Sequence, residues 1–226
     1  MATIQEEIQF FRDDNASDTN KYPDSVALRH YNDARDEIID EIIKIRQDYF
    51  YNYITGTTVI GQREYTIPKR GDVAGDGITV LDGMYQIKGV SVKFKSTDTD
   101  FTPLKPKTLE NLSYDIDSYA ESQEPFYILM DESIFIFPTP TEELEYRIHG
   151  ITYPKKVGLL DTDILPDHIT KACLIGMAKR YFQRKQLVNE MNNYAIMFEN
   201  EKKRVCDTLS ARDLTPRQRI DPISYI

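Results

Sequence analysis

The spacing of the apolar residues changes twice along this chain, and those two changes limit its folds more than any other feature. Val26, Tyr31, Ala34, Ile38, Ile42, Ile45 and Tyr49 recur at close to helical spacing. From Phe50 the period falls to two, in Tyr51-Asn52-Tyr53-Ile54, Thr57-Thr58-Val59-Ile60 and Glu64-Tyr65-Thr66-Ile67. After Leu165-Pro166-Asp167 a helical period returns with Ala172, Leu174, Met177, Ala178 and Tyr181. The pattern predicts an α+β fold, a helical bundle of N- and C-terminal helices with an inserted antiparallel β-module. The expected boundaries are 1–49 plus 154–212 for the helical domain, 50–153 for the β domain, and 213–226 for an extended tail.

Local signals fill in this outline. Thr3 and Glu6 have capping-box spacing, and Ile4, Ile8 and Phe11 share a face of the helix they open. Residues 12–21 are polar apart from Ala16 and predict an exposed loop. A long helix is expected from Ser25 to Tyr49, with Asp40 four residues before Lys44 and with Ile39 and Ile43 widening its stripe for two partners. Residues 70–77 form a glycine-rich loop. At Gly89 the apolar phase slips by one, from Tyr85 and Ile87 to Val90 and Val92, as a bulge would cause. Pro106 to Leu112 predicts a short helix. Asp131-Glu132-Ser133 between two apolar runs predicts a hairpin. The last helices are expected to break near Lys185-Gln186, and a seam of Val188, Met191, Ala195, Phe198, Val205 and Leu209 follows, with Lys202 in one slot.

Charge is distributed unevenly. The 226 residues carry a net charge of −9. Residues 1–164 hold 17 Lys and Arg against 30 Asp and Glu, whereas residues 165–226 hold 11 against 7. An acidic body repels nucleic acid, because phosphate affinity comes from neutralising cations. Opposite charge at the two ends suits head-to-tail stacking; a solvated surface with a chance imbalance would read the same. The tail places Arg217, Arg219, Ile220, Ile223, Tyr225 and Ile226 where chain ends are ordinarily polar, which implies docking.

Known reaction chemistries find no footing. His30, His149 and His168 have no second His or Cys at ligand spacing, with His149 expected on the outer face of a strand. Cys173 and Cys206 have no CxxC spacing and are expected as buried free thiols, in a reducing compartment. The run from Gly71 to Gly77 lacks the alternating acids of a calcium loop, and Arg70-Gly71-Asp72 matches an integrin-type tripeptide by spelling only. No P-loop, GxSxG or HExxH occurs. Pairs such as Glu142-Glu143 and Asp115/Asp117 sit in polar stretches. No run approaches the roughly 18 apolar residues of a membrane helix, and Met1 leads into Thr3-Ile4-Gln5-Glu6-Glu7 without a secretory signal pattern. No cofactor, metal or membrane is expected.

Four pieces in fixed order carry a resemblance. They are the helix from Tyr22-Pro23-Asp24 to Arg46-Gln47-Asp48-Tyr49; Val59-Ile60-Gly61 with Tyr65-Thr66-Ile67-Pro68; Phe126-Tyr127-Ile128 with Ile136-Phe137-Pro138-Thr139-Pro140; and Leu165-Pro166-Asp167-His168 with Ala178-Lys179-Arg180-Tyr181-Phe182. Over roughly residues 22–210 this order resembles the head-to-tail adaptor (connector) proteins of tailed bacteriophages, which include T7-like tail tubular protein A and gp6-like connectors. The resemblance implies a non-catalytic virion protein at the neck, present in the host cytoplasm during assembly. It implies a homo-oligomeric ring, usually of twelve copies, below the portal protein. That ring would extend the channel for double-stranded DNA and dock a tail nozzle or tail tube protein. Portal contact is expected from the tail residues Arg217, Arg219, Ile220, Ile223, Tyr225 and Ile226, and tail contact from Asp72, Asp76 and Phe101. A tail terminator or other neck protein is the alternative, with a virion-associated hydrolase using acids of the β-module behind it.

Overall fold

A computed structural model describes residues 2–15, 21–72, 82–95, 97–108 and 124–213. Its fold is mixed α+β, with four α-helices and two sheets among the described residues. The chain divides into two compact units, one from Asp48 to Lys155 and the other made of the sequence before and after it.

In the helical unit, α1 (Ile4–Asp14) opens with the capping box: Thr3 N–H donates to Glu6 Oε2 at 2.8 Å, and Glu6 N–H to Thr3 Oγ1 at 3.3 Å. Ile4 and Ile8 are buried beneath it. The helix runs into the segment expected as a loop, because Arg12 is buried there. Its guanidinium donates twice to the Tyr22 carbonyl, at 3.1 and 2.5 Å, and meets Asp24 at 2.5 Å. Residues 16–20 of that segment lie outside the described residues.

Helix α2 (Asp24–Ile45) starts one residue before the expected Ser25 and ends four residues before the expected Tyr49. The chain leaves it at Arg46, and a 3-10 turn, Gln47–Phe50, follows. Lys44 Nζ lies 2.9 Å from Glu41, one turn back. Ile38, Ile39, Ile42 and Ile43 are all buried, so both flanks of α2 are covered. Helices α3 (Asp167–Arg184) and α4 (Val188–Asp213) separate at Gln186, whose φ of 59° turns the chain. A Cβ added at Gly176 of α3 would stand 2.6 Å from the Ala34 methyl and 2.7 Å from the Phe198 ring, so α2 and α4 close on α3 there. Along α4, Phe198, Val205 and Leu209 are buried as expected, whereas Val188 is exposed. Lys202 keeps its slot by laying its ammonium 5.6 Å from the Phe198 ring centre and 2.8 Å from Glu199.

Two polar latches tie the segment before α3 onto α2. The Asn32 amide donates to Val157 O at 3.0 Å and accepts from Val157 N–H at 3.0 Å. Arg35 and Asp163, each with a side chain only 1% exposed, form a two-point ion pair at 2.9 and 3.2 Å. Tyr31 O–H donates to the same carboxylate at 2.8 Å, and Leu165 N–H at 3.1 Å.

The β unit holds two four-stranded sheets. The first has the order β1 (Tyr51–Thr57), β8 (Glu145–Tyr153), β3 (Gly83–Val92), β4 (Thr102–Pro103) and is antiparallel. The second runs β2 (Glu64–Thr66), β7 (Ser133–Phe137), β6 (Phe126–Met130), β5 (Lys105–Lys107). Val90, Val92, Tyr146 and Ile148 of the first pack with Tyr65, Tyr127, Ile134 and Ile136 of the second. The expected slip at Gly89 is present as a register shift between Ile87 and Gly89, with a second between Met84 and Gln86. The hairpin turns at Asp131, where φ is 52°.

Three sequence expectations fail in this unit. Where a helix was expected from Pro106, Lys105–Lys107 is a strand, and it pairs in parallel with β6, so the module is not wholly antiparallel. Leu104 explains the difference: its N–H donates to Val90 O at 2.8 Å and its side chain is buried, which holds the chain extended, and Lys105 before a proline favours the same conformation. Residues 109–112 lie outside the described residues. The strand expected through Ile60 ends at Thr57. Thr58 turns in to bond Leu144 and Glu142, leaving Val59 and Ile60 49% and 64% exposed.

Removing one member of a buried ion pair strands the other, at a cost of about 3–5 kcal/mol. Asp163→Ala should lower the urea unfolding free energy by about that amount. Asp163→Asn, which retains an oxygen for Tyr31, should cost less. Equal, near-zero losses in both variants would show that the pair does not hold the helical unit together.

Candidate docking surface

One face of the β1-β8-β3-β4 sheet packs inward on the second sheet. On the other face, strand alternation and register put Tyr51, Tyr53 and Thr55 of β1 beside Ile151, His149 and Arg147 of β8, with Ser91 of β3 across from Arg147. This face combines aromatic rings with cations, and an open groove of about 750 Å³ lies along it, lined among others by Tyr51, Lys88, Phe101, Arg147 and His149.

Arg147 is the centre of the arrangement. Its guanidinium carbon stands 3.8 Å from the Phe101 ring centre and 4.4 Å from that of Tyr53. Its Nε is buried without a hydrogen-bond partner among the described residues. Held between two π faces, the cation keeps its charge at the surface while its flanks are desolvated. Lys93 Nζ lies 5.1 Å from the Phe101 ring centre and 2.6 Å from Glu145. Phe101 is placed by the turn before it: Lys95 N–H donates to Asp98 Oδ2 at 3.0 Å and Asp98 N–H returns to Lys95 O at 3.0 Å. The chain then comes back along β3 as β4.

His149 faces the same groove, sharing a 2.8 Å hydrogen bond between Nε2 and Ser91 Oγ, with its ring 5.8 Å from that of Tyr53. Burial, and after it the charge of Arg147, lowers its pKa below the ordinary histidine value. The site combines charge, aromatic surface and the Ser91–His149 hydroxyl–imidazole contact. Among the described residues no group of three or more His, Cys, Asp or Glu is placed to hold a metal ion. Cys173 is buried, where desolvation pushes its thiol up, while Cys206 is only partly buried, a correction to the expectation for both. Among the described residues no helix is long and apolar enough to cross a membrane.

Of the residues expected to contact a tail, Phe101 lies in this groove. Asp72 is exposed and engaged in a turn of its own, accepting from Lys69 N–H at 2.7 Å, with Gly71 at φ 89° inside the turn. Asp76, and the portal-contact set Arg217, Arg219, Ile220, Ile223, Tyr225 and Ile226, lie outside the described residues. The sequence reading missed Arg147 and Tyr53. The signal was present in the alternation of Glu145, Arg147 and His149 on the outward phase of β8, but the pairing that sets Tyr53 and Phe101 around Arg147 is not local.

For His149 the linkage has a definite sign. The unfolded chain takes up its proton near the ordinary value of about 6.5, the folded chain only at lower pH. Between those points the unfolded state binds more protons, so stability falls as pH drops from 7 through that window. The melting temperature should decline over this range, and part of the decline should be absent in His149→Gln. A proton NMR titration placing His149 at or above 6.5 in the folded chain would overturn this assignment.

No curated protein matches the chain. The family model described as SU10 adaptor protein matches residues 1–221, nearly the full length. On that match the chain belongs to the SU10 adaptor protein family, a family of bacteriophage adaptors.

Proposed function

We propose that the chain is a structural subunit of the phage neck, forming a ring, of twelve copies, between the portal protein and the tail. The family match over residues 1–221 carries this reading. Physical features support it. A net charge of −9 lets DNA slide through a channel without counterion-release affinity. A closed ring needs two different, complementary faces on each subunit, and the acidic body with its basic C-terminal third supplies opposite signs. The role is non-catalytic, and the subunit works in the virion after assembly in the host cytoplasm.

In this reading the C-terminal segment with Arg217 and Arg219 engages the portal. The groove around Phe101, with the loop at residues 70–77, engages the tail nozzle or tail tube. A rigid sheet presenting loops and aromatic anchors is suited to that task.

Two expectations follow. Deletion of residues 214–226 should leave the melting temperature unchanged and abolish decoration of purified portals in negative-stain images. Portals decorated normally by the truncated chain would remove the tail from the portal contact. Replacing residues 71–77 with a short Gly-Ser turn together with Phe101→Ser should preserve rings on portals yet yield DNA-filled heads without tails. Tailed, infectious particles at normal yield would move the docking surface elsewhere.

A further inference from the structure

The two sheets have four edges among the described residues, and three are blunted. Strand β4 is two residues long and ends in Pro103. Strand β5 is Lys105-Pro106-Lys107, with a proline between two lysines. Strand β2 has three residues and begins with Glu64. Shortness, proline and charge are the devices by which natural sheets prevent a foreign strand from pairing. Strand β1 has none of them. It is seven residues, Tyr-Asn-Tyr-Ile-Thr-Gly-Thr, with no charge and no proline, spanning about 23 Å. Its one glycine is explained from the inside: a Cβ at Gly56 would lie 2.4 Å from the Tyr146 ring.

The direction of its free groups is fixed by two bonds. Thr58 N–H donates to Leu144 O at 2.7 Å, so even-numbered residues of β1 face β8, while Lys93 N–H donates to Glu145 O at 2.9 Å, so odd-numbered residues of β8 face β3. By antiparallel alternation the N–H groups of Tyr53, Thr55 and Thr57 point away from the sheet. Tyr53 N–H takes the Asn52 side-chain oxygen at 2.8 Å instead of a strand partner.

We propose that the β1 edge receives an extended strand from a different protein chain, one carrying carboxylates on alternate residues. Added at β1, the strand would set every second side chain beside Tyr51, Tyr53 and Thr55, one strand from Arg147 and His149, with Lys88 further along the same groove. Two acids lie there: Glu145, neutralised by Lys93 at 2.6 Å, and Asp100, which lines the groove beside Phe101, against the cations Arg147, Lys88 and Lys93. The face therefore attracts negative charge within a chain that is acidic overall. A second copy is a poor donor, because it offers only the short, blunted strands β2, β4 and β5 or the stretch Gly83–Gly89 of β3 with which β4 does not pair, and that stretch carries Lys88 and no carboxylate. Pairing β1 with β1 would bring two Arg147 rows to one face with no carboxylate between them. This inference rests on the edge itself and does not depend on a ring or its position.

The full chain is titrated with acetyl-Val-Glu-Val-Glu-Val-Glu-Val-amide and with the same peptide carrying Lys for Glu, at low salt. Binding is followed by amide exchange and chemical shifts. The acidic peptide should bind at least tenfold tighter than the basic one, protect the Tyr53, Thr55 and Thr57 amides, and weaken with salt. Thr55→Pro removes an outward donor without touching the β1–β8 bonds and should weaken binding at least tenfold. Arg147→Gln, a second variant in case the first unfolds, should reduce the preference between peptides to about twofold or less with the edge still protected. Equal binding of the two peptides, or protection outside β1, overturns the proposal. So does a free chain that sediments as a dimer and reverts to monomer in Thr55→Pro, since β1 would then serve a second copy.

Discussion

The ion pair between Arg35 and Asp163 joins positions 128 residues apart, and the helical unit depends on it. A carboxylate and a guanidinium taken out of water need every lone pair and proton matched. Here Tyr31 and the Leu165 N–H complete the set. Such a pair adds little net stability beyond what a well-packed apolar substitute would give. What it does is penalise alternatives: any shift of the segment before α3 along α2 leaves two charges buried and unmatched. The Asn32 latch on Val157 acts in the same direction a turn earlier. With that segment fixed, α3 starts at one place, and Gly176 meets Ala34 and Phe198 where only a hydrogen atom fits.

Much of this was legible because it is local. The capping box needs only Thr3 and Glu6, the hairpin at Asp131 only its flanking runs, and the phase slip at Gly89 shows in eight consecutive residues. The reversal of period around residues 50 and 165 gives the α+β class by itself. What was not legible involves polar residues whose partners are distant. Arg12 looks like the first residue of a loop until the Tyr22 carbonyl is beside it. Asp163 looks like one more surface acid. Arg147 alternates as an outward residue should, and nothing nearby in sequence announces that Tyr53 and Phe101 enclose it. The β5 strand was misread for the same reason, since Pro106 suits a helix start and only the burial of Leu104 on β3 decides otherwise.

Net charge alone gives a poor description of such a surface. The chain is acidic, yet the outer face of its first sheet carries Arg147 between two rings and Lys93 tied to Glu145. Stacking on aromatic faces lets a cation remain exposed without a carboxylate partner. Local sign is then set by geometry, and a face can attract what the rest of the molecule repels.

The division of the chain also bears on its synthesis. Residues 48–155 are contiguous, so one unit has all its parts once about two thirds of the polypeptide has left the ribosome. The helices made first, α1 and α2, are then still without Asp163 and α3. Their isoleucine faces remain without a partner throughout translation of the sheets, and exposed apolar surface of this kind is what chaperones bind. The earliest residues to be made thus belong to the later unit to close, and the interval between them is set by the rate of translation.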